Sequence, residues 1–140
     1  MRLKPNQLTG ELLRRLWALN NSCFDKDEHP SFGIFEYHAT NGAVYATPNE
    51  ASPVGIAIVT PHTHEPHLWT LAVAKENRRA GYGEDLLCEV LGDFHEITLH
   101  TRVDNAPAQM LYLKYGFRVE KIAKNYYPNR VDGLFMRRKV

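Results

Sequence analysis

The stretch that decides the fold is LWTLAVAKENRRAGYGEDLLCEVL, residues 68–91. It begins with an apolar strand, residues 68–73, passes through the loop RRAGYG and enters a helix with one apolar side. Gly81 and Gly83 remove side chains where the main chain turns, so consecutive backbone N–H groups can point into one concavity. The helix adds its own unpaired N–H groups and the positive end of its dipole. The segment therefore predicts a site for a phosphate-bearing cofactor, although a Gly-x-Gly here can also be only a tight connection.

Two better-known phosphate motifs are excluded by the spacing. A Walker loop requires Gly-Lys-Ser/Thr after four intervening residues, and the dinucleotide fingerprint requires a third glycine where Leu86 stands. The remaining pattern, Arg78-x-x-Gly81-x-Gly83, resembles the coenzyme A pyrophosphate loop of the GCN5-related N-acetyltransferases, the GNAT superfamily.

A second signature lies downstream. Residues 97–103, ITLHTRV, alternate apolar and polar side chains and predict a half-buried strand. A helix follows, with Asn105 as a candidate N-cap, Pro107 in the first turn and Gly116 at the end. The string NAPAQMLYLKYGF, residues 105–117, resembles the second GNAT signature. The chain is closest in pattern to the ribosomal-protein and peptide N-terminal acetyltransferases, and residues before Val54 are interpreted from their pattern alone.

The composition indicates a soluble globular protein. Its 140 residues predict one domain, residues 1–140, with 44% hydrophobic and 24% charged residues. The first residues do not lead into an apolar stretch long enough for a signal peptide, so a cytoplasmic location and no membrane partner are expected. A formal charge of +1 gives no electrostatic case for nucleic acid. The two cysteines, Cys23 and Cys88, predict no disulfide framework.

The order of elements predicts an α/β (α+β) fold. We expect a first strand near Leu3, two helices, three strands, a helix, a strand, a helix and two strands, with a loop at residues 123–132 between the last two strands. Ser31 is a candidate cap for the second helix, although a strand there fits the pattern nearly as well. This order resembles the GNAT fold, a mixed, mostly antiparallel sheet of about seven strands with helices on both faces.

The resemblance also implies a cofactor site. In that fold the strands at 68–73 and 97–103 start parallel and splay apart, and the pantetheine arm of acetyl-CoA enters the gap like an added strand. A free backbone N–H in the first strand would then serve as oxyanion donor. The residues that the resemblance assigns to cofactor binding are Leu71, Ala72, Val73, Arg78, Arg79, Ala80, Gly81, Tyr82, Gly83, Glu84, Asn105 and Tyr112.

The chemistry requires a neutral amine. At pH 7 the loss of a proton costs about 1.1 kcal/mol for an α-amino group and about 4.6 kcal/mol for a lysine side chain. A histidine base therefore suits an N-terminal acceptor. By resemblance, His100 and His67 occupy positions where relatives carry a catalytic glutamate or histidine, and either could instead be a satisfied strand histidine. By resemblance, Tyr112 matches the tyrosine that returns a proton to the leaving thiolate. The alternative is that Tyr112 is only an aromatic residue of the core. Asn105 either caps the helix only or also contacts pantetheine.

Tyr126 and Tyr127 resemble the paired tyrosines that hold the first residues of a peptide acceptor. The favoured function is therefore acetyl transfer from acetyl-CoA to a protein N-terminal amine by direct attack in a ternary complex. The alternatives are a small amine acceptor, such as a polyamine, amino acid or antibiotic, and a non-catalytic acyl-CoA-binding module. His62, His64, Glu65 and His67 could be read as a zinc site, but the set lacks a cysteine or a compact spacing, so no metal is predicted. The sequence predicts no oligomeric state.

Overall fold

A computed structural model describes residues 1–62 and 65–139, without the side chains of residues 61 and 62. One mixed sheet has the strand order β1-β2-β3-β4-β6-β5, and only β3 and β4 are parallel neighbours. The strands are β1 (Ala43–Thr47), β2 (Gly55–His62), β3 (Glu65–Val73), β4 (Ile97–Arg102), β5 (Arg118–Tyr127) and β6 (Val131–Arg138). The α-helices are α1 (Gly10–Ser22), α2 (Phe32–Asn41), α3 (Tyr82–Asp93) and α4 (Ala106–Lys114).

The core lies on both faces of the sheet. On one face, α3 buries Leu86, Leu87 and Val90 completely, in a cluster that also contains Tyr112 of α4. On the other face, α1 and α2 pack against β1 and β2, with Leu16 and Phe35 among the buried residues. Burial of each large apolar side chain of this kind contributes about 1.5–3 kcal/mol to the stability of the fold. The predicted mixed fold with helices on both faces is therefore confirmed.

Side-chain caps explain where three of the helices begin. Thr9, Ser31 and Asn105 each accept a hydrogen bond from the backbone N–H three residues ahead, at 3.2 Å in every case. The cap at Ser31 starts a helix rather than the strand that the pattern also allowed. Gly116, with φ of 92°, ends α4 as predicted, because this left-handed conformation favours glycine.

Two details of the sequence prediction are wrong. The sheet has six strands rather than about seven, because the segment near Leu3 forms only an isolated bridge from Arg2 to Tyr45. Pro5 has no N–H to extend a ladder, and a 3-10 turn, Pro5–Gln7, begins there instead. The expected loop at 123–132 is largely strand, because register shifts in β5 at Val119/Lys121 and Ala123/Tyr127 let the pairing with β6 continue to Tyr127. Within the described ranges, no helix combines the length and apolar character needed to span a bilayer.

Candidate active site

The glycine loop opens the N-terminus of α3. Gly81 is the N-cap residue with φ of 88°, and the first intrahelical bond runs from Asp85 N–H to its carbonyl at 3.0 Å. The N–H groups of the three intervening residues therefore have no acceptor within the helix. Gly81 offers no capping side chain, and a Cβ added there would meet no atom within 4 Å. The space and the donors fit a phosphate group.

Two of the predicted loop residues turn their side chains elsewhere. Arg78 Nε donates to the carbonyl of Val73 at 2.9 Å and so ties the loop to the end of β3. Glu84 accepts from Lys114 Nζ at 2.5 Å and from the hydroxyl of Tyr115 at 2.9 Å, and the hydrogen bond from Lys114 lowers the pKa of this carboxyl. The Glu84 side chain thus joins α3 to α4, which leaves its backbone N–H as the group that can face a phosphate.

The two parallel strands separate after a short contact. β3 and β4 are paired only at His67 with Thr98 and at Leu68 with Leu99. In the described part of the chain, residues 69–73 have no partner in β4, while the end of β4 is paired with β6. This is the gap that the resemblance implied for the pantetheine arm.

Successive residues of β3 point their backbone N–H and C=O groups alternately toward β2 and toward this gap. The N–H of Ala74 donates to the carbonyl of Val54 at 2.8 Å, which fixes Val73 and Gly55 as a non-hydrogen-bonded pair with β2. Ala72 consequently exchanges hydrogen bonds with Ile56. The polar backbone groups of Leu71 and Val73 point the other way, toward the gap.

Tyr112 lies in the buried cluster that also contains Leu68 and Val73 of β3 and Leu99 of β4. Its side chain is 8% exposed and packs edge-on against Phe117, with ring centroids 5.5 Å apart. Burial raises the pKa of its phenol to about 12, so the group stays protonated at neutral pH. Asn105 caps the same helix through its side-chain oxygen, which accounts for one of its two predicted roles.

His67 and His100 lie side by side. His100 Nδ1 is 3.3 Å from His67 Nε2, and His67 Nδ1 is 2.7 Å from Thr98 Oγ1. The sequence offered these histidines as alternatives, whereas the structure brings them into one hydrogen-bonded pair. Burial, and then the charge of Lys121, lower the pKa of His100, which favours its neutral form near pH 7.

An aromatic group covers the histidine pair. The ring of Tyr126 stacks on His100 with centroids 4.1 Å apart and an interplanar angle of 8°. Phe135 lies 5.0 Å from His100, and Tyr127 packs edge-on against Tyr126 at 4.9 Å. The predicted base and the predicted acceptor-binding tyrosines are therefore adjacent.

An ion pair that the sequence did not predict borders this group. Arg102 Nη1 is 3.3 Å from Glu28 Oε1, and the two side chains are 24% and 12% exposed. Arg102 also forms two hydrogen bonds with Asp104 and lies 5.7 Å from the ring centroid of Tyr127. The only sequence signal for Arg102 and Thr98 is the period of two that places both on the same strand face as His100.

The zinc alternative includes the side chain of His62, which the structure does not describe. Among the residues that the structure describes, no group of three or more histidine, cysteine, aspartate or glutamate side chains could hold a metal ion. His64 lies outside the described residues, and Glu65 is paired with Arg137.

Both the sequence and the fold are similar to those of known proteins. Residues 13–117 match the acetyltransferase (GNAT) family. The fold is similar to that of the ribosomal-protein-S18-alanine N-acetyltransferase from Escherichia coli, with a TM-score of 0.83, 22% identity and coverage of 98% of this chain and 91% of that one.

Two sequence relatives carry N-terminal acetyltransferase names. An N-alpha-acetyltransferase from Sulfurisphaera tokodaii is 34% identical over 76 residues, which cover 50% of this chain and 46% of the relative. N-alpha-acetyltransferase 50 from Danio rerio is 26% identical over 135 residues, which cover 90% of this chain and 80% of the relative. The chain spans about half the length of the archaeal relatives that it matches. Because the family match extends over more than half of the 140 residues, the chain belongs to the acetyltransferase (GNAT) family.

Proposed function

We propose that this protein transfers an acetyl group from acetyl-CoA to the α-amine of a protein N-terminus. The observation that carries the proposal is the stack of Tyr126 on His100 at the point where β3 and β4 separate. This stack supports the proposal, because an aromatic surface for an acceptor and a neutral base would then lie beside the gap. The names of the relatives support the same acceptor class.

The cosubstrate would be held by the backbone more than by side chains. The open N–H groups that follow Gly81 suit the pyrophosphate, and the backbone of Leu71 and Val73 suits the amides of the pantetheine arm. Acetyl-CoA, when bound, supplies the acetyl group as a thioester. Arg79, which is exposed in the same loop with φ of 65°, adds positive charge there.

One buried side chain, Tyr112, and one half-buried side chain, His100, would handle the protons. His100, whose pKa is lowered, is neutral near pH 7 and can accept the proton that the attacking amine loses, directly or through a water. Tyr112, whose pKa is raised to about 12, keeps its proton and can donate it toward the departing sulfur. An α-amine suits this base better than a lysine, because it needs less help to become neutral.

The acceptor would enter between the hairpin of β5 and β6 and the segment that joins α1 to α2. Tyr126 and Tyr127 lie at the end of the hairpin, and Glu28 comes from the joining segment. The ion pair of Glu28 with Arg102 joins this segment to the end of β4, and Arg102 lies 5.7 Å from the ring centroid of Tyr127 in the hairpin. The segment and the hairpin would then flank an extended chain end.

A matched pair of peptides tests the acceptor class. One peptide has a free α-amine and no lysine, and the other has the same sequence with a blocked α-amine and one lysine. We expect release of free coenzyme A, and an acetyl group found by mass spectrometry, with the first peptide only. Release only with the lysine peptide, or only with a panel of polyamines, amino acids and aminoglycosides, would contradict the proposal. A mock preparation from cells that do not express the protein measures release by contaminating enzymes.

Two further expectations from the sequence stay predictions. A cytoplasmic location fits the proposed reaction, because acetyl-CoA and newly made protein N-termini would both have to reach the enzyme. Residues 1–140 are expected to fold as one unit, which a single cooperative unfolding transition followed by two different probes would support.

A further inference from the structure

Three side chains form a hydrogen-bonded chain that ends at the proposed base. Thr98 Oγ1 contacts His67 Nδ1 at 2.7 Å, and His67 Nε2 contacts His100 Nδ1 at 3.3 Å. The strand pairing creates this chain, because His67 is in register with Thr98 and His100 follows two residues later on the same face of β4. The other edge of the His100 ring, with Nε2, points away from His67.

The far end of the chain determines where the protons are. A hydroxyl has one proton to donate, and the carbonyl of Pro66, 3.4 Å from Thr98 Oγ1, can only accept. Both contacts of Thr98 are satisfied when it donates to Pro66 and accepts from Nδ1–H of His67. His67 Nε2 is then an acceptor, so the shared bond must come from Nδ1–H of His100. With the opposite tautomer of His67, the bond to Pro66 is lost.

We infer that Thr98 and His67 are positioning residues that set the tautomer of His100 and keep its Nε2 free of a proton. The inference rests on the proposed function for the use of that nitrogen. Nε2 would take one proton from the acceptor amine, directly or through a water, and the resulting imidazolium would keep its Nδ1–H bond to His67. The proton would later pass from Nε2 to solvent, so both histidines belong to one unit rather than being alternative bases.

The surroundings keep the His100 ring in place and neutral. Tyr126 stacks on one face of it and Phe135 lies 5.0 Å away. Lys121 of β5 and Arg137 of β6 lie 5.2 Å and 5.7 Å from the Phe135 ring centroid, and Arg102 of β4 is paired with Glu28 and Asp104. Arg137 is paired with Glu65 and Glu120, so Lys121 is the charge that acts on the His100 ring.

The tautomers of the two histidines can be determined by NMR without measuring enzyme activity. In ligand-free protein with ¹⁵N-labelled histidine, long-range ¹H–¹⁵N spectra above the pH of ring titration distinguish Nδ1–H from Nε2–H. His67→Gln and His100→Gln spectra assign the two rings. We expect Nδ1–H on both rings in the wild type and a shift of His100 toward Nε2–H in Thr98→Val. A wild-type His100 protonated on Nε2, or a tautomer unchanged by Thr98→Val, would overturn the inference.

Kinetics supply the second readout. Thr98→Val should lower kcat about tenfold, which corresponds to about 1.4 kcal/mol, with KM for the peptide and affinity for coenzyme A nearly unchanged. Thr98→Ser, which restores the hydroxyl, should recover most of the rate. Thr101→Val, at another buried threonine of β4, is the matched control and should behave as the wild type.

The failure of this inference is distinguishable from the failure of the proposed function. A protein that shows the expected tautomers and acetylates no amine would refute the proposed function alone. A protein that acetylates peptides at the same rate with Thr98→Val as without it would refute the role of Thr98 and leave the acetyltransferase activity standing.

Discussion

The substitution Tyr112→Phe should separate catalysis from stability. Tyr112 is buried, and its hydroxyl makes no hydrogen bond within the described part of the chain. Removing the oxygen therefore breaks no hydrogen bond of the described residues. We expect the free energy of unfolding to change by less than about 0.5 kcal/mol. Turnover should fall instead, because the hydroxyl is the proposed proton donor to the departing thiolate.

The structure sets the size of the loss. With the pKa of Tyr112 raised to about 12 and that of a thiol near 8.5, the difference of 3.5 makes complete proton transfer uphill by about 4.8 kcal/mol. In water the same transfer is uphill by only about 2 kcal/mol. Tyr112 is thus a weaker acid than a free phenol, and its contribution should lie at the low end for general acids, about 100-fold in kcat. That factor corresponds to about 2.7 kcal/mol.

Tyr45→Phe is the matched control, with the opposite expected result. Its hydroxyl donates to Asp93 Oδ2 at 2.6 Å, far along the chain from the site. Losing a hydrogen bond to a carboxylate that is 40% exposed should cost about 1.5 kcal/mol of stability. For a chain of 140 residues this lowers Tm by about 5 °C. The value of kcat should not change.

Both variants can be measured with the same two assays. Free coenzyme A released from acetyl-CoA and a saturating peptide gives kcat, and urea unfolding gives stability. Isothermal titration with coenzyme A should give wild-type affinity for Tyr112→Phe, since the lost hydroxyl is not part of the glycine loop. Full turnover in Tyr112→Phe would remove this residue from the mechanism. Loss of both turnover and stability would make it a packing residue only.

Three further substitutions test other parts of the molecule. His100→Gln should make the acidic limb of the pH profile of kcat/KM less steep below about pH 6.5, because burial lowers the pKa of His100 and only protonation of the acceptor amine would then remain, whereas His95→Gln at an exposed position should keep the wild-type slope. Gly81→Ala should cost about 1–2 kcal/mol in urea unfolding and weaken coenzyme A binding, because its φ is 88° while the new Cβ has open space. Asp93→Asn should lower stability at neutral pH and should lower it progressively less below about pH 4. The hydrogen bond from Tyr45 lowers the pKa of Asp93, so the ionised carboxylate stabilises the fold, and this contribution is lost as the carboxylate takes up a proton.

Each of these has a contrary result. An acidic limb as steep in His100→Gln as in the wild type would assign the second ionisation to another group. Unchanged stability in Gly81→Ala would mean that the loop relaxes around the new side chain. A stability difference for Asp93→Asn that is constant from pH 7 to pH 3 would show that the lost contact does not depend on the charge of Asp93.

The parts of the site that the sequence predicted are local in the chain. The glycine loop, the cap at Asn105 and the end of α4 at Gly116 each depend on residues within one or two turns of each other. Backbone conformation and capping are decided at that range, so the spacing of glycine and asparagine is informative. The same reasoning found the strand that precedes the loop and the helix that follows it.

The parts that could not be predicted depend on register. The contact of His67 with His100 joins positions 33 residues apart, and the ion pair of Glu28 with Arg102 joins positions 74 apart. A strand pattern with a period of two gives the face of each side chain but not its position along the neighbouring strand. Tyr126 was expected in a loop because the pattern does not reveal the register shifts of β5.

Burial gives the two proposed proton-handling groups their opposite roles. The same desolvation disfavours the charged form of each group, so it lowers the pKa of His100 and raises that of Tyr112. At neutral pH the histidine is then without its second proton and the tyrosine still holds its own. A base and an acid are thereby present together over a wide range of pH, although in water their pKa values lie closer to each other. In the proposed mechanism both groups act at the gap between β3 and β4, and the burial of each group sets the direction in which it can move a proton.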